Sequence, residues 1–385
     1  MFRLVVWELR KLLQLPALWG FLALCLVLNG ALIFSMDQNR ESFNAASHAA
    51  GQVGQRVDDT FSERLAGLPD FSNQDSLQEA VSGMTDIFET YDVQALAARY
   101  VSLVENSPLA VQWMTAKYEK VGARVAHLAS ADAALDLYAG PATHDSHQFL
   151  FGTLLHAVVG EGGVLAMLAA LYLLGFESMQ HTEPLTYSTR TGRRLHRTKL
   201  FAACLSSLVL YGLLLLPTLG LYFSLWDYSG VWSASVSSQF NYIIELLAVK
   251  PFLTWADFTV AGYLTASVAL GGLLVLVSCL MAALLGTLIP HTYGSALFLI
   301  LIWAGMMGAA AVASNAKLWI LYFITTLQPL LLWFNQGGWF TELGINAVWP
   351  WHEVWGTFLS LLLWGGGVWA ALRRFDRKDL MGWKF

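Results

Sequence analysis

The sequence predicts an all-α membrane protein with six transmembrane helices, and three observations carry that prediction. Of 385 residues, 56% are hydrophobic and only 13% charged, about half the charge of an ordinary soluble chain. Mean hydropathy is positive, at +0.52. Six apolar runs reach the roughly 20 residues that a helix needs to cross a bilayer core. This composition excludes a soluble enzyme and a disordered chain. A net charge of −5 with no basic stripe excludes a nucleic-acid binder.

The first element, Met1–Gln14, predicts an amphipathic interfacial helix. Phe2, Val5, Val6, Leu9, Leu12 and Leu13 share one face at helical spacing, and Arg3, Glu8, Arg10, Lys11 and Gln14 the other. The spans then follow as Leu15–Ser35, about Ala157–Phe176 within 150–176, Leu200–Trp226, Phe258–Ile289, Gly294–Ala313 and about Trp355–Leu372. The first is longer than a signal-peptide core and ends without a small-residue cleavage site. The fourth is too long for an upright span and must tilt.

A seventh run, Leu318–Phe334, contains Thr325, Thr326, Gln328 and Pro329. Orientation decides its reading. The N-terminus, the loop 177–199 and the tail 373–385 hold 13 of the 22 basic residues, so the positive-inside rule places all three in the cytoplasm. Only six crossings allow that, and 318–354 becomes an outer re-entrant or interfacial segment. Trp226, Trp232, Trp255, Trp339, Trp349 and Trp351 fall where an outer aromatic belt belongs.

Residues 36–149 predict an extracytoplasmic helical domain. The segment holds 16 acidic and 7 basic residues, and such a field favours a cationic ligand. Ser76-Leu77-Gln78-Glu79 matches a capping box, and Leu77, Val81, Met84, Phe88 and Tyr91 repeat after it at 4-3-4-3 spacing. Ser107-Pro108 marks a second helix start. From there Val111, Met114, Tyr118, Val121, Val125 and Leu128 form a heptad stripe, broken at Asp132. A weaker stripe over Phe43–Phe61 precedes both, and Gly140-Pro141 ends the domain.

No catalytic motif is present. The sequence contains no G-x-x-x-x-G-K-[ST] phosphate loop, and His352-Glu353 lacks the second histidine of a zinc-protease helix. His144 and His147 form an H-x-x-H pair without an evident third ligand. Cys25, Cys204 and Cys279 each sit in an apolar run as packing residues. Within the second span, Glu161 in Gly160-Glu161-Gly162-Gly163 is an ionisable residue in lipid. It reads as either a snorkelling carboxylate or part of an outer gate beside His156. The three glycines permit close helix approach, and Gly365-Gly366-Gly367 in the last span does the same.

The informative stretch is the loop after the second span. It opens with Glu177, continues through Thr182, Glu183, Leu185 and Ser188-Thr189, and closes on Arg193-Arg194 and Lys199. In that order these residues resemble the membrane subunits of ABC-2-type ABC transporters, with Thr191–Arg194 similar to the version in Gram-positive bacterial permeases. The place that family fills with glycine before the threonine is His181 here. The interfacial helix, six spans, re-entrant segment and basic tail fit the same plan.

The resemblance implies a permease of the bacterial plasma membrane with both termini cytoplasmic. It implies a second permease copy or homologue as partner, and separate cytoplasmic ATPases that bind the ATP and Mg²⁺. The loop would be the coupling helix, with Glu177, Thr182, Glu183, Arg193, Arg194 and Lys199 at the ATPase contact. Glu161 and His156 would lie on a path for a peptide or amphiphile. Two other readings stay open: an ATPase-driven signalling module that transports nothing, and an ATPase-independent channel or adaptor.

Overall fold

Each apolar run of bilayer length is a helix in the computed structural model. It describes residues 2–36, 40–69, 74–82, 84–136, 140–182, 185–186, 192–238, 242–245, 248–289 and 291–377. Helix α1 spans Phe2–Leu13 and α2 Pro16–Ser35. Six short or medium helices follow: α3 Arg40–Val53, α4 Phe61–Ala66, α5 Gln74–Ser82, α6 Ile87–Thr90, α7 Val93–Leu103 and α8 Pro108–Ser130. Then come α9 Gly140–His147, α10 Leu155–Met179, α11 Gly192–Leu225, α12 Val260–Leu288, α13 Thr292–Asn315, α14 Trp319–Thr325, α15 Pro329–Phe334 and α16 His352–Arg377. Among the described residues six helices are long and apolar enough to cross a membrane. The chain is therefore helical with the composition of a multi-pass membrane protein.

Helices α10 and α12 are the buried pair at the centre. Helix α10 packs on α2, α11, α12 and α13, and α12 also takes α16. Small residues allow this. A Cβ on Gly162 would lie 2.9 Å from the Tyr211 ring, and one on Gly163 would lie 3.2 Å from Ser278 Oγ. A Cβ on Gly160 would meet the Trp333 ring at 2.6 Å. In α16, Gly367 faces Leu284 and Gly366 faces open space. The Cys204 and Cys279 thiols meet between α11 and α12.

The second span begins earlier than the apolar run suggests. Gly140-Pro141 does not end a domain. It opens α9, which continues through a π-helical stretch, Gln148–Leu154, into α10. The wide turn lets the backbone of Gly337 approach Gly152, where a Cβ on Gly337 would lie 3.1 Å from the Gly152 Cα.

The segment between α2 and α9 divides between two cores. Phe43, Ala46, Phe61, Leu65 and Leu77 join the main core shared with the spans. Phe88, Tyr100, Met114, Tyr118, Val121, Val125 and Leu128 form a second core with Leu253, Trp319, Phe323 and Val348. The stripe Leu77–Tyr91 is not one helix: α5 stops at Ser82, and Asp86 starts α6 by accepting from the Phe88 amide at 2.8 Å. Helix α7 has no counterpart in the stripes and begins where Asp92 accepts from the Ala95 amide at 2.9 Å.

The run Leu318–Phe334 is broken at Thr326–Gln328 into α14 and α15, each too short to cross a bilayer. A hairpin, β1 Tyr242–Glu245 and β2 Ala248–Pro251, pairs Tyr242 with Pro251 antiparallel. Two tryptophans assigned to a lipid-facing belt are instead internal. Trp226 stacks on Tyr222, and the Trp339 indole donates to the Leu332 carbonyl at 2.9 Å.

Candidate functional site

Helix α10 ends in a turn that positions its last carboxylate. The His181 amide donates to the Ser178 carbonyl and the Thr182 amide to the Glu177 carbonyl, at 3.2 and 2.9 Å. This is the Schellman pattern. His181 occupies its left-handed position at φ 55°, where glycine is preferred because it has no Cβ to clash. The turn fixes the Glu177 backbone, and its side chain points into the molecule at 4% exposure.

Four charges meet there. Lys11 Nζ lies 2.9 Å from Glu8 Oε1 and 3.1 Å from Glu177 Oε1. Lys199 pairs with Glu177 Oε2 and donates to the Leu173 carbonyl at 2.8 Å. Lys199 is fully buried and Glu8 is 3% exposed. The Lys11 ammonium also sits 4.4 Å from the centre of the Phe176 ring. Two carboxylates and two ammonium groups balance, which is what lets them stay buried. The cluster joins α1, the end of α10 and the start of α11.

The polar face read for α1 is corrected by this contact. The buried residues are Val5, Glu8 and Leu12, whereas Leu4, Trp7 and Leu13 are 42, 63 and 65% exposed. The helix is turned so that Glu8 faces the bundle, where Lys11 pairs with both Glu8 and Glu177.

Of the residues expected at the ATPase contact, Glu177 has its carboxylate paired within the chain, to Lys11 and Lys199. Thr182 contributes through its backbone, closing the turn and accepting from the Thr186 amide at 2.9 Å. Arg193 and Arg194 lie in the first turn of α11, with side chains outside the described residues. Glu183 also lies outside them. Leu185 is 74% exposed between these elements. His196, one turn into α11, contacts Thr287 Oγ1 at 3.1 Å and stacks on Phe375, tying the ends of α12 and α16 to the same region.

Glu161 and His156 are not brought together. Asn29 donates to Glu161 Oε2 at 2.8 Å, joining α2 to α10, with the Cys25 thiol beside it. His156 points elsewhere and stacks on Trp333 at 4.4 Å, whose indole donates to the His156 carbonyl at 2.9 Å. Asn29 carried a legible signal, a lone amide in an apolar run. Among the described residues no group of three His, Cys, Asp or Glu is placed to hold a metal ion. His147 stacks instead on Tyr228, at 5.5 Å.

The helices between α2 and α9 are tied to the rest of the chain at two places. Asn44 in α3 bonds the Leu225 carbonyl and the Asp227 amide at the end of α11. A Cβ on Gly230 would lie 1.8 Å from the Ser47 carbonyl, so only glycine fits that contact. At the second place, Lys117 in α8 pairs with Glu342 at 2.9 Å, both buried, and Tyr118 and the Gly344 amide donate to the same carboxylate. Beside it Arg124 lies 2.6 Å from Asp257. Partial desolvation raises the Asp257 carboxyl, but hydrogen bonds from Arg124 and His127 outweigh it and hold the group below its ordinary 3.8.

No protein-family model matches the chain, and neither a curated protein nor a solved structure matches it.

Proposed function

We propose that this chain is the membrane subunit of an ATP-driven complex similar to the ABC-2-type permeases, worked by a separate cytoplasmic ATPase. The observation that supports this best is the buried Glu8–Lys11–Glu177–Lys199 cluster. It ties the first helix and the ends of two spans together, so a push on the end of α10 or the start of α11 reaches all three. In this reading Glu177 and Lys199 are positioning residues. The partner is met by Leu185, Glu183, Arg193 and Arg194, and Thr182 sets the turn that presents them.

In the same proposal both termini are cytoplasmic in a bacterial plasma membrane, and α1 lies in the inner interface. Residues 36–149 are outside, and α14 and α15 form a re-entrant element, with α14 packed on α8 and α15 on the spans. A second copy or homologue completes a path for a peptide or amphiphile along the Asn29–Glu161 contact.

A second reading is favoured by the two attachments of the outer helices. The α3–α11 contact and the Lys117–Glu342 pair make the outer segment follow the spans. The ATPase stroke would then signal across the membrane without transport.

The test is affinity capture of the tagged full chain from its native membrane in mild detergent, with mass spectrometry of what is retained. A stoichiometric P-loop ATPase is expected, lost on Leu185→Glu. No ATPase, or one retained equally by the variant, overturns the proposal. Peptide or amphiphile uptake into inverted vesicles separates transport from signalling.

A further inference from the structure

Two exposed tryptophans carry an arginine on their faces. Trp7 in α1 is 63% exposed, and the Arg10 guanidinium carbon lies 5.3 Å from its ring centre. Trp369 in α16 is 55% exposed, and the Arg373 carbon lies 3.7 Å from its ring centre. With six crossings, the start of α2 and the end of α16 lie on one side of the membrane, so both pairs belong to the same leaflet.

Exposure alone would make these ordinary interface anchors, because tryptophan settles at headgroup level. The charge arrangement goes further. The one carboxylate of α1, Glu8, is turned inward. Its outer face therefore presents Arg3 and Arg10 with no acid between them. Among the described side chains no carboxylate pairs with Arg10 or Arg373; the side chain of Asp376 lies outside them.

A guanidinium stacked on an indole keeps its ring-facing side apolar and its N–H edge outward. That edge matches two oxygens of a phosphate. Leu4, 42% exposed and one turn before Trp7, suits the acyl boundary just below.

We propose that Trp7–Arg10 and Trp369–Arg373 are two binding sites for the headgroup phosphate of anionic phospholipids. The indole sets depth, the stacked arginine binds the phosphate, and Leu4 contacts the acyl chains. This rests on the membrane placement of the six helices and the side shared by the two termini. It does not need an ATPase partner.

The test uses the purified full chain in detergent, with phosphatidylglycerol, phosphatidylcholine and inorganic phosphate as separate probes. Retention is read by native mass spectrometry, and the thermal midpoint is followed in parallel. Phosphatidylglycerol is expected to be retained more strongly and to raise the midpoint more than phosphatidylcholine, whose choline cation offsets its phosphate beside the arginines; inorganic phosphate is expected to do neither. Arg10→Gln and Arg373→Gln should each weaken retention about fivefold, as expected for one basic residue at an anionic surface. Arg→Lys should recover only part of it, because the flat fork is lost.

The variants are exposed, so an unchanged midpoint without lipid shows that they fold. Equal binding of the two lipids, or retention unchanged in the double Gln variant, overturns the proposal. Competition by inorganic phosphate at the same concentration as the lipid overturns it too, because the site would then read free phosphate.

Discussion

Replacing Glu177 by Gln isolates the energetics of the inner cluster. The substitution keeps the shape of the side chain and removes one charge from a balanced set of four. Lys199, fully buried, then has the Leu173 carbonyl and the more distant Glu8 as its remaining stabilising groups. Removing one partner of a buried pair costs about 3–5 kcal/mol. Lys11, whose side chain is 21% exposed and still paired with Glu8, adds about 1 kcal/mol or less.

The single variant should therefore lose about 3–5 kcal/mol in a reversible unfolding titration in mixed micelles. The double variant Glu177→Gln/Lys199→Met removes both charges of the buried pair and should recover most of that, since apolar replacement of a buried pair is often neutral. A loss under about 1 kcal/mol in the single variant would refute the reasoning. So would a double variant no better than the single.

Three further outcomes follow from other contacts. His181→Gly relieves the left-handed strain of the α10 cap and should stabilise by about 1 kcal/mol in the same titration. Gly162→Val should cost about 1–3 kcal/mol, because its Cβ meets Tyr211 and Val275, whereas Gly366→Val, facing open space, should change little. Asp257→Asn should cost about 1 kcal/mol or less near neutral pH, since its side chain is 68% exposed. The folded carboxyl titrates below 3.8, so its stabilisation is present above about pH 4 and fades as pH falls through the folded value. The difference between wild type and variant, followed from pH 7 to pH 3, should shrink accordingly.

The spans were legible because the bilayer demands one quantity, an uninterrupted apolar length. Helices α2, α12 and α13 begin and end within about two residues of their apolar runs. The α8 stripe was legible for the same kind of reason: Met114, Tyr118, Val121, Val125 and Leu128 are all buried at heptad spacing. What that stripe packs against was not, since Leu253, Trp319 and Phe323 lie far away in sequence.

The start of the second span was misplaced because Gly-Pro reads as a stop, yet proline in a first turn equally opens a helix. The hairpin at Tyr242–Pro251 has no Gly or Asn turn to announce it. Glu177 stood out as a carboxylate at a span end, but its partners are 166 residues upstream and 22 downstream, and pairing at such separations leaves no local pattern. Glu8 and Lys11 looked like one polar face, although a net-neutral pair with its carboxylate buried satisfies the same helical spacing.

The most direct test of the central claim is a photo-crosslinking amino acid placed at Leu185, activated in cells, with the adduct identified by mass spectrometry. Attachment to a P-loop ATPase is expected, diminished when Glu177→Gln loosens the cluster at the end of α10. Attachment to lipid alone, or to a protein without a nucleotide site, would contradict it.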